Sequence, residues 1–507
     1  MAKGQLKSGV YLSYMSLFVT NISNLIITPF IIRNLGDSQY GLYMLIGALI
    51  GYIAVLDFGL NNTIVRFVAK YRAEQSKEEE ENFLFSTFII YGIISIILTI
   101  IGIIIYFQLE TVFKDSLTVN EIKIAEIMFL ILIVNLAFTL PMKSFMGIMK
   151  AYEKFVMPKV IAITRTLIRM LMIFIFLSMG YKAIAIVLID TLLNLVMLII
   201  SMLYVFLKLE VRVKKHYFSL SIYKEILSYS SLIFISVIVD QIYWRIGHFI
   251  LGIVASTSEV AVFAIGMMLG QYFITFSTAI SGVFLPKITG MVVNKATSEE
   301  LTNLFIRTGR LQFLILALIL GGFITVGKSF LIVWAGTNYE VSWSIAMIIM
   351  IPLFLVLTQT IGISILQAKN LHGFRALMYL MIAIINTFIS IYLAKKYGAI
   401  GASVGTSLSL IFGNLIVMNF YYHFKVKLNI PRFFKGLFKG LMPAFILSLI
   451  AGYFLGTMIS NNWFSLITIG SIYTIIYICL MWLIGMNKSE QKLIKNEVRK
   501  LTKISFN

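Results

Sequence analysis

Long apolar runs alternate with short polar segments along the whole chain. A helix needs about 20 apolar residues to cross the ~30 Å hydrocarbon core of a bilayer, and most of these runs reach that length. Because the polar connections between them are too short to hold a folded domain, the chain is predicted to lie almost entirely within a membrane. The pattern predicts fourteen spans, at residues 10–32, 42–63, 83–107, 124–146, 157–179, 183–206, 226–249, 260–285, 305–327, 342–366, 376–394, 399–422, 438–459 and 464–484.

The composition agrees with this pattern. Of 507 residues, 59% are hydrophobic and 13% are charged, whereas soluble proteins have about 25% charged residues. We therefore predict an all-α integral membrane protein. The single cysteine, Cys479, excludes an internal disulfide framework, and the four histidines are too scattered to suggest a metal site.

The formal net charge of +20 would suggest a nucleic-acid partner in a soluble protein. Its distribution points elsewhere, because 31 of the 42 Lys and Arg residues fall in the two termini, in every second loop or in the span ends next to those loops, against 7 in the other loops. The remaining 4, Lys159, Arg165, Arg169 and Arg245, are assigned to spans 5 and 7. Since Lys and Arg accumulate in cytoplasmic loops, we predict cytoplasmic N- and C-termini, an even number of spans and no nucleic-acid partner.

The sequence repeats itself weakly at a distance of six spans. Residues 36–52 (GDSQYGLYMLIGALIGY) align with residues 256–272 (STSEVAVFAIGMMLGQY) at a shift of 220, and residues 182–188 (KAIAIVL) align with residues 398–404 (GAIGASV) at a shift of 216. A shift by an even number of spans preserves orientation, so the repeat is parallel, with its axis along the membrane normal. Among the pairs that the first alignment matches are Gln39 with Glu259 and Gly41 with Ala261.

The repeat predicts two six-helix lobes related by a pseudo-twofold axis along the membrane normal, followed by two further helices. The predicted domains are an N-terminal lobe at 1–210, a cytoplasmic linker at 211–224, a C-terminal lobe at 225–424, and helices 13 and 14 with a basic cytoplasmic tail at 425–507. Transporters built from parallel halves hold their site between the halves near mid-membrane, so we expect the same arrangement here.

Three segments resemble the Wzx-type oligosaccharide flippases of bacteria. They are RNLGDSQYGLYMLIGALIGYIAVLDFGLNNTIVRFVAKYR (33–72), WAGTNYEVSW (334–343) and KKYGAIGASVGT (395–406). In the first segment, an LG-x-x-x-YGLY turn precedes LDFGL and a basic stretch. These flippases form the polysaccharide-transporter branch of a superfamily that also contains multidrug extruders and oligosaccharidyl-lipid exporters.

The resemblance implies twelve core helices in two lobes that alternate access between the two sides of the bacterial inner (cytoplasmic) membrane. The implied function is to flip undecaprenyl-pyrophosphate-linked oligosaccharide repeat units from the cytoplasmic to the outer leaflet, for the synthesis of surface polysaccharides such as O-antigen or capsule. The implied partners are the lipid-linked oligosaccharide and membrane lipids. Whether the protein works alone or with a polysaccharide polymerase and glycosyltransferases is left open by the sequence.

Arginines inside apolar spans are the strongest candidates for cargo binding. Arg165 and Arg169 lie four residues apart in span 5, on one helix face and roughly 12 and 18 Å into the bilayer. Each costs at least ~2.5–3.5 kcal/mol at the centre of the membrane, which favours a functional role. We predict that they and Arg245 in span 7 bind a pyrophosphate or an acidic sugar, because guanidinium groups match phosphate oxygens. The alternatives are ion pairs within the bundle and, for Arg245, snorkelling to the interface beside Trp244.

Three aspartates also lie within the spans: Asp57 in span 2, Asp190 in span 6 and Asp240 in span 7. A carboxylate inside the membrane can carry a proton or bind Na⁺. We therefore predict H⁺ or Na⁺ coupling through these residues, and we expect no cofactor or metal besides the coupling ion. The alternative is structural pairing with the arginines and, for Asp57 within LDFGL, a role in helix packing or a turn.

Two other functions compete with a flippase. A multidrug or organic-cation exporter of the same superfamily would need an acidic cavity, which the arginines oppose. A polytopic polysaccharide polymerase would need large outer loops or a catalytic loop, whereas the predicted outer loops are short. The sequence also contains no Walker A motif, so ATP hydrolysis by this chain is not expected, and we predict a transporter rather than an enzyme.

Two charged segments are predicted to lie on the cytoplasmic side. The run KEEEE at 77–81 is predicted to be a solvated helix start that Ser76 caps. The segment 488–504 (KSEQKLIKNEVRKLTKI) has apolar residues at helical spacing among basic ones, which predicts an amphipathic helix on the membrane surface.

Overall fold

The protein is all-α throughout the part of the chain that the computed structural model describes, which is residues 2–54, 60–218, 220–281, 285–369 and 371–504. Most side chains of residues 2–10, 221–242, 279–287 and 497–504 are outside this description. No β-strand occurs within these residues, so the predicted fold class is confirmed. The described helices are α1 (Ala2–Leu35), α2 (Asp37–Ala54), α3 (Leu60–Ala73), α4 (Lys77–Phe113), α5 (Val119–Met142), α6 (Ser144–Ala151), α7 (Val156–Ser178), α8 (Ala183–Leu203), α9 (Leu220–Val254), α10 (Thr257–Ser281), α11 (Leu285–Val293), α12 (Ser298–Trp334), α13 (Val341–Thr358), α14 (Ile361–Ala368), α15 (His372–Leu410), α16 (Met418–Phe424), α17 (Ile430–Phe438), α18 (Leu441–Gly456), α19 (Trp463–Leu480) and α20 (Lys488–Ile504). Three π-helical segments, Tyr204–Lys208, Ile411–Val417 and Met481–Gly485, follow α8, α15 and α19, and a 3₁₀ turn covers Thr337–Tyr339.

Ten helical stretches of the described chain are long and apolar enough to cross a membrane, and the bent pair α17–α18 makes an eleventh. One of the ten, Gly373–Phe424, contains two predicted spans, because the backbone of α15 leaves helical geometry at Tyr397 and Gly398. The eleven stretches thus correspond to twelve of the fourteen predicted spans. The other two, 42–63 and 226–249, include positions outside the described residues or side chains, so the count of fourteen stays a prediction.

The start of α4 differs from the prediction. Ser76 stands at the N-cap position, but its side chain makes no capping hydrogen bond. The acidic run behind it is also not simply solvated, because Glu80 is only 7% exposed and accepts a hydrogen bond of 2.6 Å from the Tyr152 hydroxyl. Directly after the run, the side-chain oxygen of Asn82 accepts the backbone N–H of His216 at 3.0 Å. This helix start therefore holds two other segments of the chain in place.

The chain divides into two compact units. Unit one comprises residues 1–264 and 394–399, and unit two comprises residues 265–393 and 400–507. Within unit one, α1 packs on α7, α4 on α5, α5 on α8, and α2 on both α5 and α9. Within unit two, α12 is the central helix and packs on α13, α17, α18 and α19. The predicted domain boundaries remain a prediction.

Two equivalent hydrogen bonds support the internal repeat. The Gln39 side-chain oxygen in the first turn of α2 accepts the backbone N–H of Ala183 at 3.4 Å, at the start of α8. The Glu259 carboxylate in the first turn of α10 accepts the backbone N–H of Ala399 at 2.7 Å, just after the break in α15. The two sequence alignments pair Gln39 with Glu259 and Ala183 with Ala399. The repeat therefore preserves the same contact in both places, and all four residues belong to unit one.

The first turns of α2, α5 and α10 meet within unit one. The Glu121 carboxylate accepts hydrogen bonds from the Ser38 hydroxyl at 2.6 Å and the Thr257 hydroxyl at 2.8 Å. Beside it, a Cβ on Gly41 would lie 1.8 Å from the Thr257 carbonyl oxygen and 3.2 Å from the nitrogen of Ala261, its repeat equivalent. A residue without a side chain is therefore required on α2 at this crossing.

Candidate functional site

The candidate site is organised around α7, which carries Arg165 and Arg169 one turn apart, both half-buried. The guanidinium of Arg169 forms a two-pronged ion pair with Asp190 on α8: Nε donates to Oδ1, and Nη2 donates to Oδ2 at 3.0 Å. The Tyr43 hydroxyl on α2 donates to the same Oδ2 at 3.1 Å and accepts from Nη2 of Arg169 at 3.2 Å. Three helices of unit one are thus joined by one closed polar triad.

The turn between α7 and α8 explains why Arg169 meets Asp190. The chain reverses at Gly180, whose φ of +88° suits a residue without Cβ. Arg169 lies eleven residues before this glycine and Asp190 ten residues after it. Because both helices rise about 1.5 Å per residue, the two side chains reach the same depth. These near-equal spacings were the sequence signal for the pair, whereas no spacing indicated Tyr43 as its third member.

Arg165 differs from Arg169 although it lies on the same helix face. Among the described residues, its guanidinium has no hydrogen-bond or ion-pair partner, and its electrostatic neighbours are Asp190, Arg169 and Tyr43. Since Asp190 neutralises one arginine only, the cluster carries one uncompensated positive charge. A guanidinium has five N–H donors in a planar fork, so Arg165 is suited to bind an anion with several oxygens.

Arg245 on α9 contacts α2 at Gly47 and Gly51. These glycines follow Tyr43 by four and eight residues, which is roughly 6 and 12 Å along the axis of α2. Nη1 of Arg245 donates to the Gly47 carbonyl oxygen at 3.3 Å. A Cβ on Gly51 would come within 2.7 Å of the same nitrogen, so the guanidinium rests on a surface made flat by glycine. This position is half-buried against α2, and within the described part of the chain the one long hydrogen bond leaves most of the donors of Arg245 available.

The structure treats the three predicted coupling carboxylates differently. Both oxygens of Asp190 are occupied by Arg169 and Tyr43, as the pairing alternative expects. Asp57 lies outside the described residues, and Asp240 lies on α9 at a position whose side chain is not described. In the described part of the chain, no three His, Cys, Asp or Glu side chains come together in a way that could hold a metal ion.

Comparison with known proteins places these features in a family. The model of the family described as "Polysaccharide biosynthesis protein" matches residues 6–292. A "Putative O-antigen transporter" of Shigella flexneri is 22% identical over 423 residues, which cover 81% of this chain and 96% of that protein.

Solved structures show the same fold. The lipid II flippase MurJ in an inward closed conformation matches with a TM-score of 0.73 and 18% identity, over 93% of this chain and 99% of that one. An inward-facing multidrug resistance transporter of the MATE family, from the MOP superfamily, matches with a TM-score of 0.63 and 16% identity, over 78% and 93%. Since the family model covers more than half of the chain, the protein belongs to the polysaccharide biosynthesis protein family, and the resemblance to its flippases is confirmed.

Proposed function

We propose that the protein flips undecaprenyl-pyrophosphate-linked oligosaccharide repeat units from the cytoplasmic to the outer leaflet of the bacterial inner membrane, by alternating access. The family, the many apolar helices and the flippase fold support a membrane transporter of this kind rather than an enzyme. The observation that carries the substrate class is Arg165: a half-buried guanidinium in an apolar helix, without a partner among the described residues.

The sign of the charge favours an anionic cargo. Among the described side chains, Asp190 is the one carboxylate close to Arg165 and Arg169, and no carboxylate interacts with Arg245. An unpaired cation in a membrane is costly, and a diphosphate offsets that cost because its oxygens accept several charge-assisted hydrogen bonds. In this proposal Arg165 contacts the diphosphate or an acidic sugar, Arg245 offers a second cation, and the triad of Arg169, Asp190 and Tyr43 holds α7 in position.

Ion coupling is part of the proposal. Because Asp190 uses both carboxylate oxygens within the triad, Asp57 and Asp240 are the better candidates to carry H⁺ or Na⁺. The proposed topology keeps both termini in the cytoplasm, and the proposed partners are the lipid-linked oligosaccharide, membrane lipids and the polymerase and glycosyltransferases of the same biosynthesis. No further cofactor is required.

Substitution of Arg165 tests the proposed function. In proteoliposomes that contain a lipid-linked oligosaccharide with a fluorescent sugar, Arg165→Ala is expected to slow flipping about tenfold or more, because losing a hydrogen bond to a charged group costs about 1.5–3 kcal/mol. The thermal midpoint should not fall, since the guanidinium binds no described protein group. The matched control is Lys159→Ala on the same helix, which should flip like the wild type.

Two outcomes would oppose this proposal in different ways. A wild-type protein that exports a cationic dye but leaves the lipid-linked oligosaccharide in place would contradict the flippase function. If Arg165→Ala flipped this lipid as fast as the wild type, the proposed role of Arg165 would be contradicted, but the flippase function would not. Arg169→Ala should differ from Arg165→Ala and Lys159→Ala in stability. It leaves Asp190 without its ion-pair partner and should therefore lower the thermal midpoint.

A substitution on α2 tests Arg245 without removing its charge. Gly51→Ala places a methyl group against the guanidinium, which must move. The displaced atoms are the end of a flexible side chain, so the folded state should lose little stability, while flipping should fall several-fold. Gly47→Ala is the control, because a Cβ there meets nothing within 4 Å. Equal flipping rates for the two variants would show that the position of Arg245 does not matter for transport.

A further inference from the structure

A polar cavity lies at the start of α4 in unit one. Its volume is about 820 Å³, and small-molecule sites commonly have about 300–1,000 Å³. Its walls come from the end of α3 and the turn to α4, the start of α4, the residue after α6, and the segment 209–212 after α8. Most of the lining residues are polar or charged. They lie at helix ends and in connections, on the side of the membrane that is predicted to be cytoplasmic.

Arg72 in the wall is held in one orientation by its neighbours. Its guanidinium lies over the Tyr152 ring, with 3.8 Å between Cζ and the ring centroid. Its Nη1 donates to the Ala151 carbonyl oxygen at 2.9 Å. The Tyr152 hydroxyl in turn donates to the carboxylate of the buried Glu80. These contacts fix the plane of the guanidinium, so less side-chain entropy is lost when an anion binds to it.

One edge of the Arg72 guanidinium stays available to a ligand. Nε and Nη2 have no hydrogen-bond or ion-pair partner in the part of the chain that the structure describes. Elsewhere in the protein, Arg169 and Arg310 each bind both oxygens of a carboxylate with this same edge. Two parallel N–H groups match two phosphate oxygens equally well. Arg72 therefore presents a preoriented anion-binding edge to the cavity.

The other charges in the wall also favour an anionic ligand. Lys77 and Arg212 are exposed, and neither forms an ion pair with a described side chain. Two of the acidic lining residues are already engaged, since Glu80 accepts a tyrosine hydroxyl and Glu81 lies 2.8 Å from a histidine ring nitrogen. Among the described lining residues, Glu210 is the acid that remains without a partner. Positive charge therefore exceeds uncommitted negative charge in this cavity.

The rest of the wall suits a ligand body that carries hydroxyl groups. Oε2 of Glu80, the Ser76 hydroxyl and the Gln75 amide make no hydrogen bond to any residue described. Although Glu80 is only 7% exposed, its Oε2 is not among the enclosed oxygen atoms that lack a partner, so this atom opens into the cavity. Carboxylate and amide oxygens accept hydrogen bonds from hydroxyl groups. A phosphate alone would fill only a small part of the volume.

We infer that this cavity binds a water-soluble sugar phosphate, with the phosphate on the Nε–Nη2 edge of Arg72 and sugar hydroxyl groups toward Glu80. Lipid headgroups also carry phosphate, but the polar walls favour the soluble ester. The segment after α8 is tied to α4 beside the cavity, because the Asn82 side-chain oxygen accepts the backbone N–H groups of His216 and Tyr217 at 3.0 and 3.2 Å. A bound ligand would strengthen this junction. The site uses none of the intramembrane arginines and does not depend on transport.

Binding of glucose 1-phosphate to the purified full-length protein tests the inference. Isothermal titration calorimetry should show one site, and glucose and inorganic phosphate should each bind at least tenfold more weakly. Arg72→Gln should weaken glucose 1-phosphate binding at least tenfold. Arg72→Lys should not restore it, because an ammonium lacks the planar fork. The matched control is Lys150→Gln, an exposed position on α6 outside the cavity wall, which should bind like the wild type.

Trypsin cleavage of the segment after α8 gives a second readout. This segment contains Arg212, Lys214 and Lys215, all exposed. Glucose 1-phosphate should slow the cleavage several-fold in the wild type and leave it unchanged in Arg72→Gln. If Arg72→Gln does not fold, Arg212→Gln replaces it in the binding measurement. This variant removes an exposed cation of the wall and should weaken binding several-fold.

Four results would overturn the inference. The first is no binding of glucose 1-phosphate, and the second is equal binding by Arg72→Gln and Lys150→Gln. The third is equal affinity for inorganic phosphate, since the sugar would then make no contact. The fourth is displacement of glucose 1-phosphate by equimolar dihexanoyl phosphatidylglycerol, which would assign the phosphate site to a lipid headgroup.

Discussion

Arg310→Ala is expected to lower the free energy of unfolding by about 3–5 kcal/mol, the usual cost of removing one partner of a buried ion pair. Arg310 on α12 is 6% exposed, and Glu490 at the start of α20 is 2% exposed. Nε and Nη2 of Arg310 donate to the two carboxylate oxygens of Glu490 at 2.6 and 2.9 Å. The arginine therefore anchors the amphipathic tail helix to the centre of unit two.

The remaining donors of Arg310 extend this anchor. Nη1 donates to the carbonyl oxygens of Gly436 at 2.7 Å and Lys439 at 2.8 Å, where α17 ends before α18. Nη2 also donates to the Gly485 carbonyl oxygen at 3.0 Å, at the end of the π segment after α19. One side chain thus satisfies carbonyl groups at several helix ends, and its loss leaves them and a buried carboxylate without partners.

The measurement is thermal unfolding of the purified protein, with limited proteolysis of residues 488–507 as a second readout. Arg307→Ala is the matched control, because Arg307 lies one turn earlier on α12 and is exposed. The control should unfold like the wild type, whereas Arg310→Ala should unfold earlier and expose the tail to protease. Glu490→Gln keeps the shape of the carboxylate, so it should lose less stability than Arg310→Ala. It serves as the second variant if Arg310→Ala does not fold. If Arg310→Ala and Glu490→Gln both unfolded at the wild-type temperature, this role of the ion pair would be contradicted.

Gly41→Ala is expected to lower the free energy of unfolding by about 1–3 kcal/mol, the typical cost of overpacking, and to abolish flipping. The added Cβ would lie 1.8 Å from the backbone carbonyl oxygen of Thr257, which cannot rotate away as a side chain can. Moving α2 away from α10 would also separate Ser38 and Thr257, whose hydroxyls share the Glu121 carboxylate. The substitution therefore disturbs three helix starts at once.

The control variant for this prediction, Gly47→Ala, is not expected to lose stability. Alanine is a better helix former than glycine by about 0.5–1 kcal/mol, so Gly47→Ala on the same helix should leave stability unchanged or raise it. Thermal midpoints of the two variants, measured in one detergent, give the comparison. If Gly41→Ala unfolded at the same temperature as Gly47→Ala, the close crossing of α2 and α10 would not exist in the folded protein.

Much of the candidate site was present in the sequence as a set of alternatives. From charge, depth and spacing, cargo binding was predicted for both Arg165 and Arg169, with ion pairing within the bundle as the alternative. The structure pairs Arg169 with Asp190 and leaves Arg165 without a described partner. Tyr43 was not identified as part of the site, because it belongs to a helix more than a hundred residues away in the chain. The predicted cap at Ser76 was wrong, because its side chain makes no capping hydrogen bond, and the predicted solvated run behind it instead binds distant residues.

The sequence by itself determined that this protein crosses a membrane many times as helices and that it contains a parallel repeat. A bilayer core leaves backbone groups no partners except those within a helix or a closed barrel, so long apolar runs can form only a few structures. The repeat was visible because Gln39 and Glu259 make the same contact in both copies. The tertiary structure alone decided which arginine is neutralised and which stays available. That outcome depends on how α2, α7 and α8 place Tyr43, Arg169 and Asp190, and one turn of α7 separates the two cases.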